Sequence, residues 1–423
     1  MAISRRTLLA GGAAATLGGL VGERLLGRAH AGPAATPRNL VLVVASGGWD
    51  VTYALDPKPE LEAIDAPSGE VRLFGDLPLF VDPSRPTVTS FFEAWGDLAV
   101  VVNGIGVHSI SHDDCTKRML TGTVSDRNPD VGTITAWTHG RELPAPYLVL
   151  GRTSFSGPHA SLCARTGTAN QIGTLLDPFA SFPVIGEDLL RFHPDDHESA
   201  LIRDWVQSRA ERERALRGQV GSNKRRLEDF LASMNKSREL QKVGSLGELD
   251  FTRDMHVQVE LAIAALERGI SHVVQVELGD WDTHENNAQQ IERHEDLFAG
   301  LLELLDGLAT TPGKATGSRL LDETVVAVVS EMSRTPRLNP ADGKDHWPFT
   351  SALVLGAGVR GGRAMGGTDD LAAGLRVDFA TGRVDASGRH LDYDNFAAGL
   401  LDLVGVDAAE HLPGSEPLDA LQA

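Results

Sequence analysis

The sequence predicts an α/β fold, an α/β/α sandwich on a mostly parallel central sheet, and three observations carry that reading. Short apolar, β-branched runs at residues 39–45, 98–103, 272–277 and 324–330 lack polar alternation, as strands buried on both faces do. Segments with helical spacing lie between them, so strands and helices alternate along the chain. Three of the runs end in clusters of acids and histidines, and open α/β sheets bind ligands beyond the carboxyl ends of their strands.

In chain order, residues 1–31 read as an export signal. Ser4-Arg5-Arg6-Thr-Leu-Leu9 is a twin-arginine start, an apolar Gly/Ala-rich stretch runs from Leu8 to Val21, and Ala29-His30-Ala31 is an A-x-A cleavage site. The stretch is too short and glycine-rich for a good membrane span, and no Cys follows for a lipid anchor. Export by the twin-arginine route to the periplasm or beyond is therefore expected, with no membrane span left after cleavage. Residues 32–423 are expected to form one domain. Its first strand is 39–45 and its second Leu98–Asn103, followed by a helix over 113–121. Residues 140–200 are mixed and receive no assignment. Trp205 to Val243 is strongly charged with helical spacing, interrupted near Gly218 to Ser222, and reads as an exposed helical insertion at about 200–245. A helix over Phe251–Arg268 is closed by Gly269, a glycine well suited to the left-handed position after a helix end. The strand at 272–277 follows. Ile291, Leu297, Leu301, Leu304 and Leu305 mark a helix over 288–308. The strand at 324–330, a short strand at Ala352–Leu355 and a helix over 394–406 complete the order.

The 423 residues are 42% hydrophobic and 23% charged, enough apolar content for a large core. The net charge of −19 argues against nucleic acid or an anionic membrane as the main partner, since both need a basic face. Cys115 and Cys163 are the only cysteines; a disulfide and two buried thiols both stay open.

The strand ends carry the chemistry. Asp50 follows Gly47-Gly48, glycines that let backbone approach a ligand; it reads as a metal ligand or a helix N-cap. Asp282 and His284 lie two residues apart, so an extended backbone points both side chains the same way, toward one cation. Glu331 ends an apolar strand, where a carboxylate is costly unless paired with a cation or with Arg334. In Asp345-His346 one residue could ligate a metal while the other orients it. The segment from His108 to Asp114 offers Ser111 and His112 as a hydroxyl nucleophile and its activator. Gly356-Ala-Gly358-Val-Arg-Gly361 matches G-x-G-x-x-G, but no helix-like segment follows. No H-E-x-x-H, P-loop lysine or G-x-S-x-G occurs.

Together, Ser4-Arg-Arg, Gly47-Gly-Trp-Asp50, Trp281-Asp-Thr-His284, Ser330-Glu-Met-Ser-Arg334-Thr-Pro and Gly343-Lys-Asp345-His346-Trp make the chain resemble the bacterial DUF1501 proteins over nearly all of its mature length. That family is placed in the alkaline phosphatase-like superfamily with sulfatases and phosphatases. The resemblance implies a two-metal site at the strand ends that binds phosphate or sulfate esters. By it, Asp50, Asp282, His284, Glu331 and His346 match metal ligands. Met332 stands where a His would follow the acid. The relatives' nucleophile lies nine residues before the Thr of an L-T-G or A-T-G segment, which in Leu120-Thr121-Gly122 leads back to His112; by the resemblance either Ser111, one residue away, is the nucleophile or His112 is itself a ligand or nucleophile. Cys115-Thr-Lys-Arg118 departs from the sulfatase C-x-P/S-x-R pattern, so formylglycine chemistry is not expected.

Two functions follow as expectations. One is an exported hydrolase of small anionic phosphate or sulfate esters that uses one or two divalent ions (Zn, Mn, Ca or Mg), with Arg334 on the substrate's anionic oxygens. The other is a secreted, non-catalytic binding or assembly protein on the same scaffold. The resemblance also implies a possible DUF1800-type partner.

Overall fold

An eight-stranded sheet forms the middle layer of the structure, a computed structural model that describes residues 37–165, 195–243 and 254–422. Its strands are β1 (Asn39–Ala45), β2 (Ala99–Gly106), β3 (Tyr147–Val149), β4 (Cys163–Arg165), β5 (Val273–Leu278), β6 (Thr324–Val329), β7 (Phe349–Gly356) and β8 (Arg363–Gly366). Their order across the sheet is β8-β2-β7-β6-β1-β5-β3-β4. Central β1 pairs in parallel with both β5 and β6. The three strands whose ends carry the Asp, Glu and His clusters are thus neighbours that point the same way. The expected strand at Ala352–Leu355 is longer, as β7, and runs antiparallel to β2 and β6. The expected export signal lies outside the described residues.

The alternation of β1 shows why the sheet has two covered faces. Val41, Val43 and Ala45 enter one core with Phe91 of α1 (Pro86–Trp95), Leu261 of α5 (Met255–Glu267) and Leu301 of α6 (Gln289–Thr310). Leu40, Leu42 and Val44 enter the other with Met119 of α2 (His112–Thr121) and Phe396 of α7 (Tyr393–Leu403). Each buried Val or Leu contributes about 1.5–3 kcal/mol, so both helical layers are held by the same strands. The charged region forms two helices, α3 (Asp196–Arg217) and α4 (Gly221–Val243), with α3 opened by an Asp195–Glu198 capping box. The helix expected from Phe251 is described from Met255, and Gly269 after it has φ +65°. Cys115 and Cys163 form no disulfide. Among the described residues no helix is long and apolar enough to cross a membrane.

His294 lies inside the packed layer of α6, its ring edge-on to Trp281 and its Nδ1 2.7 Å from the Gln290 carbonyl. Burial pushes its pKa down to about 3, and burial lowers that of His272 to about 4. The unfolded chain takes up these protons near pH 6.5, whereas the folded chain resists them until about pH 3–4. Their stabilisation is therefore full above about pH 6.5 and falls as pH drops through that window. Chelator-treated protein melted at pH 7.5 and pH 5 should lose stability, with about 2 kcal/mol from His294 alone. The variant His294→Gln should show a shallower loss, and an unchanged slope would refute this assignment.

Candidate metal centre

The turns after β1, β5 and β6 are packed against one another. Gly47 and Gly48 adopt φ values of +121° and +87°. A Cβ on Gly47 would stand 2.6 Å from the Asp282 nitrogen, and one on Gly48 2.9 Å from Met332 Cγ. These glycines make room for neighbouring protein rather than for a ligand. Trp49 and Trp281 pack edge to face with centroids 6.4 Å apart, both fully buried. Gln290, from α6, links the turns: its Oε1 accepts from Asp50 N–H at 2.8 Å, and its Nε2 donates to the Trp281 carbonyl at 2.8 Å.

On this frame three histidines converge on Asp282. Its Oδ1 lies 3.2 Å from His284 Nε2 and 3.3 Å from His346 Nε2, and its Oδ2 lies 3.5 Å from His112 Nε2. The Nε2 atoms of His284 and His346 are 2.9 Å apart. The opposite side of each ring fixes its tautomer. His346 Nδ1 faces the Ile110 carbonyl at 2.7 Å, His112 Nδ1 faces Glu331 Oε1 at 2.8 Å, and His284 Nδ1 faces Asp345 Oδ1 at 3.0 Å. Each partner is an acceptor, so each Nδ1 carries the hydrogen and a neutral ring turns its Nε2 lone pair toward Asp282. Lone pairs 2.9 Å apart repel unless a cation or a proton lies between them. His112 Nε2 is in addition shielded from solvent and has no hydrogen-bond partner.

This arrangement fits a divalent cation. Nitrogen and oxygen ligands about 2.0–2.1 Å from a tetrahedral ion stand roughly 3.3 Å from one another, close to the separations found here. His112, Asp282 and His346 each offer a ligand atom within 4.8 Å of the others. Acceptors behind the imidazoles are the usual partners of metal-bound histidine. Without a cation, the hydrogen bond His112 donates to Glu331, aided by the charges of Glu331 and Asp282, raises the His112 pKa. Burial works against ionisation of Asp282, but Arg334, His346 and His112 outweigh it and hold the carboxyl below the usual range. The His284 hydrogen bond does the same for Asp345.

Several expected site residues take other places. Asp50 is fully buried and not in the cluster. Its Oδ1 accepts from Thr52 N and Oγ1, and its Oδ2 from Asn287 Nδ2 at 2.9 Å and Lys344 Nζ at 2.8 Å. It caps the turn Val51–Tyr53, as the N-cap reading expects. Glu331 stands behind His112, and Asp345 behind His284. Arg334, expected to hold substrate, has no exposed side chain: it donates to the Gly47, Gly48 and Lys344 carbonyls and to Asp282 Oδ1 at 2.7 Å. Ser111 is an exposed residue preceding α2, and its hydroxyl makes no hydrogen bond among the described residues; His112 alone turns into the cluster. Sequence reasoning missed Lys344, Asn287 and Gln290. The only signal was a run of polar side chains, Asn286-Asn287-Ala-Gln289-Gln290, at a helix start.

Two outcomes follow. Asp345→Ala removes the acceptor behind His284 at an exposed position and should weaken Zn2+ binding about 10–100-fold by calorimetric titration with little change in Tm; unchanged affinity would remove Asp345 from the centre. Lys344→Met leaves Asp50 buried and unpaired and should cost about 3–5 kcal/mol in denaturant unfolding, most of it recovered in Asp50→Asn/Lys344→Met. If the double variant were no more stable than the single one, the pair would not be coupled.

Among solved structures, the chain is similar to a 2-O GAG sulfatase at 8% identity, over 91% of this chain and 74% of that one, with a TM-score of 0.41. It is similar to a Pseudoalteromonas sp. sulfatase at 9% identity, over 92% and 72% of the two chains, with a TM-score of 0.39. An alkaline phosphatase superfamily protein from Vibrio parahaemolyticus matches at 10% identity, over 88% and 68%, with a TM-score of 0.35. No curated protein matches the chain. The model of the family described as "Protein of unknown function (DUF1501)" matches residues 37–410, and with nearly all of its length covered the chain belongs to that family.

Proposed function

We propose that this protein is an exported, metal-dependent hydrolase of small phosphate or sulfate esters. One observation carries the reading: three imidazole lone pairs and the Asp282 carboxylate converge at ligand spacing, with His112 Nε2 buried and unpartnered. The imidazole-rich donor set suits Zn better than Mn, Ca or Mg, which prefer oxygen ligands. A cation held there supplies Lewis acidity and neutralises negative charge on an ester oxygen. The chain supplies the rest. Asp282, His112, His284 and His346 bind; Glu331, Asp345 and the Ile110 carbonyl hold the rings; Arg334 fixes Asp282. With the Ser111 hydroxyl outside the cluster, the reading assigns attack on the ester to water. A cavity of about 370 Å³ lined by Gly106, His108, Ser109, Ile110, Pro348 and Phe349 includes Ile110, whose carbonyl holds His346, and offers an apolar seat for the organic part of the ester. The twin-arginine start and the A-x-A site support export.

A second reading, a secreted binding or assembly protein, is favoured by a different observation. Arg334 and Lys344, the basic side chains bonded to Asp282 and Asp50, are fully buried and engaged with protein, so neither is offered to an anionic substrate. The same experiment separates the two. Metal content by plasma mass spectrometry would be measured beside turnover of p-nitrophenyl phosphate, bis(p-nitrophenyl) phosphate and p-nitrophenyl sulfate, in the wild type and in Asp282→Ala. The hydrolase reading expects bound Zn, and at least a 100-fold loss of turnover together with the metal in the variant. Metal without turnover of any ester would shift the conclusion to the binding protein, and a wild type free of metal would end the hydrolase reading.

A further inference from the structure

We infer that the centre holds a single cation, and that the buried ammonium of Lys344 has taken over the charge-balancing role of a second. The inference rests on the metal-centre reading above. The two-ion arrangement implied by the resemblance needs Asp50, Glu331 and a histidine after the acid to be available as ligands; Asp50 is saturated, the histidine is replaced by Met332, and Glu331 is half committed.

Asp50 is saturated. A carboxylate has about four lone-pair sites, and here four donors fill them: Thr52 N at 3.1 Å, Thr52 Oγ1 at 2.6 Å, Asn287 Nδ2 at 2.9 Å and Lys344 Nζ at 2.8 Å. Lys344 is equally committed. Its three N–H donors meet Asp50 Oδ2, the Asp65 carbonyl at 2.8 Å and Thr52 Oγ1 at 3.4 Å, and its ammonium lies 4.8 Å from the Tyr53 ring centroid. Both side chains have no exposed surface. An entering cation would have to displace the ammonium and leave it buried without its counter-ion, the costly half of a broken buried pair.

Glu331 is committed through one oxygen and nearly closed to solvent. Its Oε1 accepts from Gly47 N–H at 2.9 Å and from His112 Nδ1–H at 2.8 Å, and its Oε2 faces Ser330 Oγ at 3.5 Å. Met332, in the histidine's place, is fully buried in the apolar core. The misfit is confined to the second ion, because the Nε2 atoms of His112, His284 and His346 still converge on Asp282, with that of His112 unpartnered.

The test is ion stoichiometry. Purified chain stripped with chelator would be retitrated with Zn2+ and read by native mass spectrometry and calorimetry, beside Asp282→Ala and Asp50→Asn/Lys344→Met. The double variant keeps the buried pair neutral; should it fail to fold, the wild-type count decides alone. One ion per chain in the wild type and the double variant, lost in Asp282→Ala, is the expected result. Two ions in the wild type would overturn the inference and leave the proposed function standing. One ion that disappears in a folded double variant would make Asp50 a ligand and overturn it too. No ion in the wild type would overturn this inference and the proposed function together.

Discussion

The guanidinium of Arg334 is the joint on which the strand-end layer depends. It donates to the carbonyls of Gly47 and Gly48 after β1, to the carbonyl of Lys344 in the loop that carries Asp345 and His346, and to the carboxylate of Asp282 after β5. One rigid fork, itself in the short strand Ser333–Arg334 that follows β6, therefore sets the spacing of three chain segments. An ammonium on a flexible stem has neither the donors nor the plane to do this. The desolvation of a fully buried guanidinium is offset by one carboxylate and three carbonyls, and these four acceptors meet only if the turn after β1, the turn after β5 and the late loop come together. Burying the arginine and assembling the site are therefore the same event.

Around that joint the charges divide by depth. Asp50 and Lys344 neutralise each other where water is excluded, and their partners make the pair a structural strut between the first turn and the late loop. Asp282, His284 and Asp345 are exposed or half-exposed, with carboxylates outside the most costly desolvation. The difference matters because a buried charge is tolerated only when permanently paired, whereas a ligand must be free to exchange its partner. The fold has placed the saturated acid below and the exchangeable one above. Separation of this kind holds ligands in place with residues that take no part in binding.

Much of this was legible in the sequence. The strands stood out because burial on both faces leaves unbroken apolar runs, and Asp282 with His284 stood out because a spacing of two beyond such a run puts side chains on one side. The antiparallel direction of Phe349–Gly356 was not legible, since direction depends on how the chain returns to the sheet and not on side-chain pattern. The fate of Asp50 was hidden because its partner Lys344 lies far along the chain and looks like an ordinary loop lysine. Arg334 was read as a substrate ligand because composition cannot tell a buried guanidinium from an exposed one. Ser111 and His112 stayed interchangeable because their difference is a matter of helix phase: Ser111 is the extended residue before α2, and one step on, His112 is turned toward Glu331.

The convergence of three imidazoles is imposed by the fold rather than by whatever they bind. Ile110 lies before α2, Glu331 at the end of β6 and Asp345 in the late loop, so three separate segments supply the acceptors that aim the rings. Each acceptor fixes a tautomer as well as an orientation, and all three fix the same one. A surface histidine cluster formed by chance would show mixed tautomers, with one ring donating to the next. Here the Nδ1 positions are all committed away from the centre and the Nε2 positions all toward it, at a carboxylate that Arg334 has already ionised and immobilised. Holding unshared pairs at 2.9 Å costs energy in the absence of positive charge. A frame that maintains this cost through buried, satisfied contacts elsewhere supports the metal-centre reading.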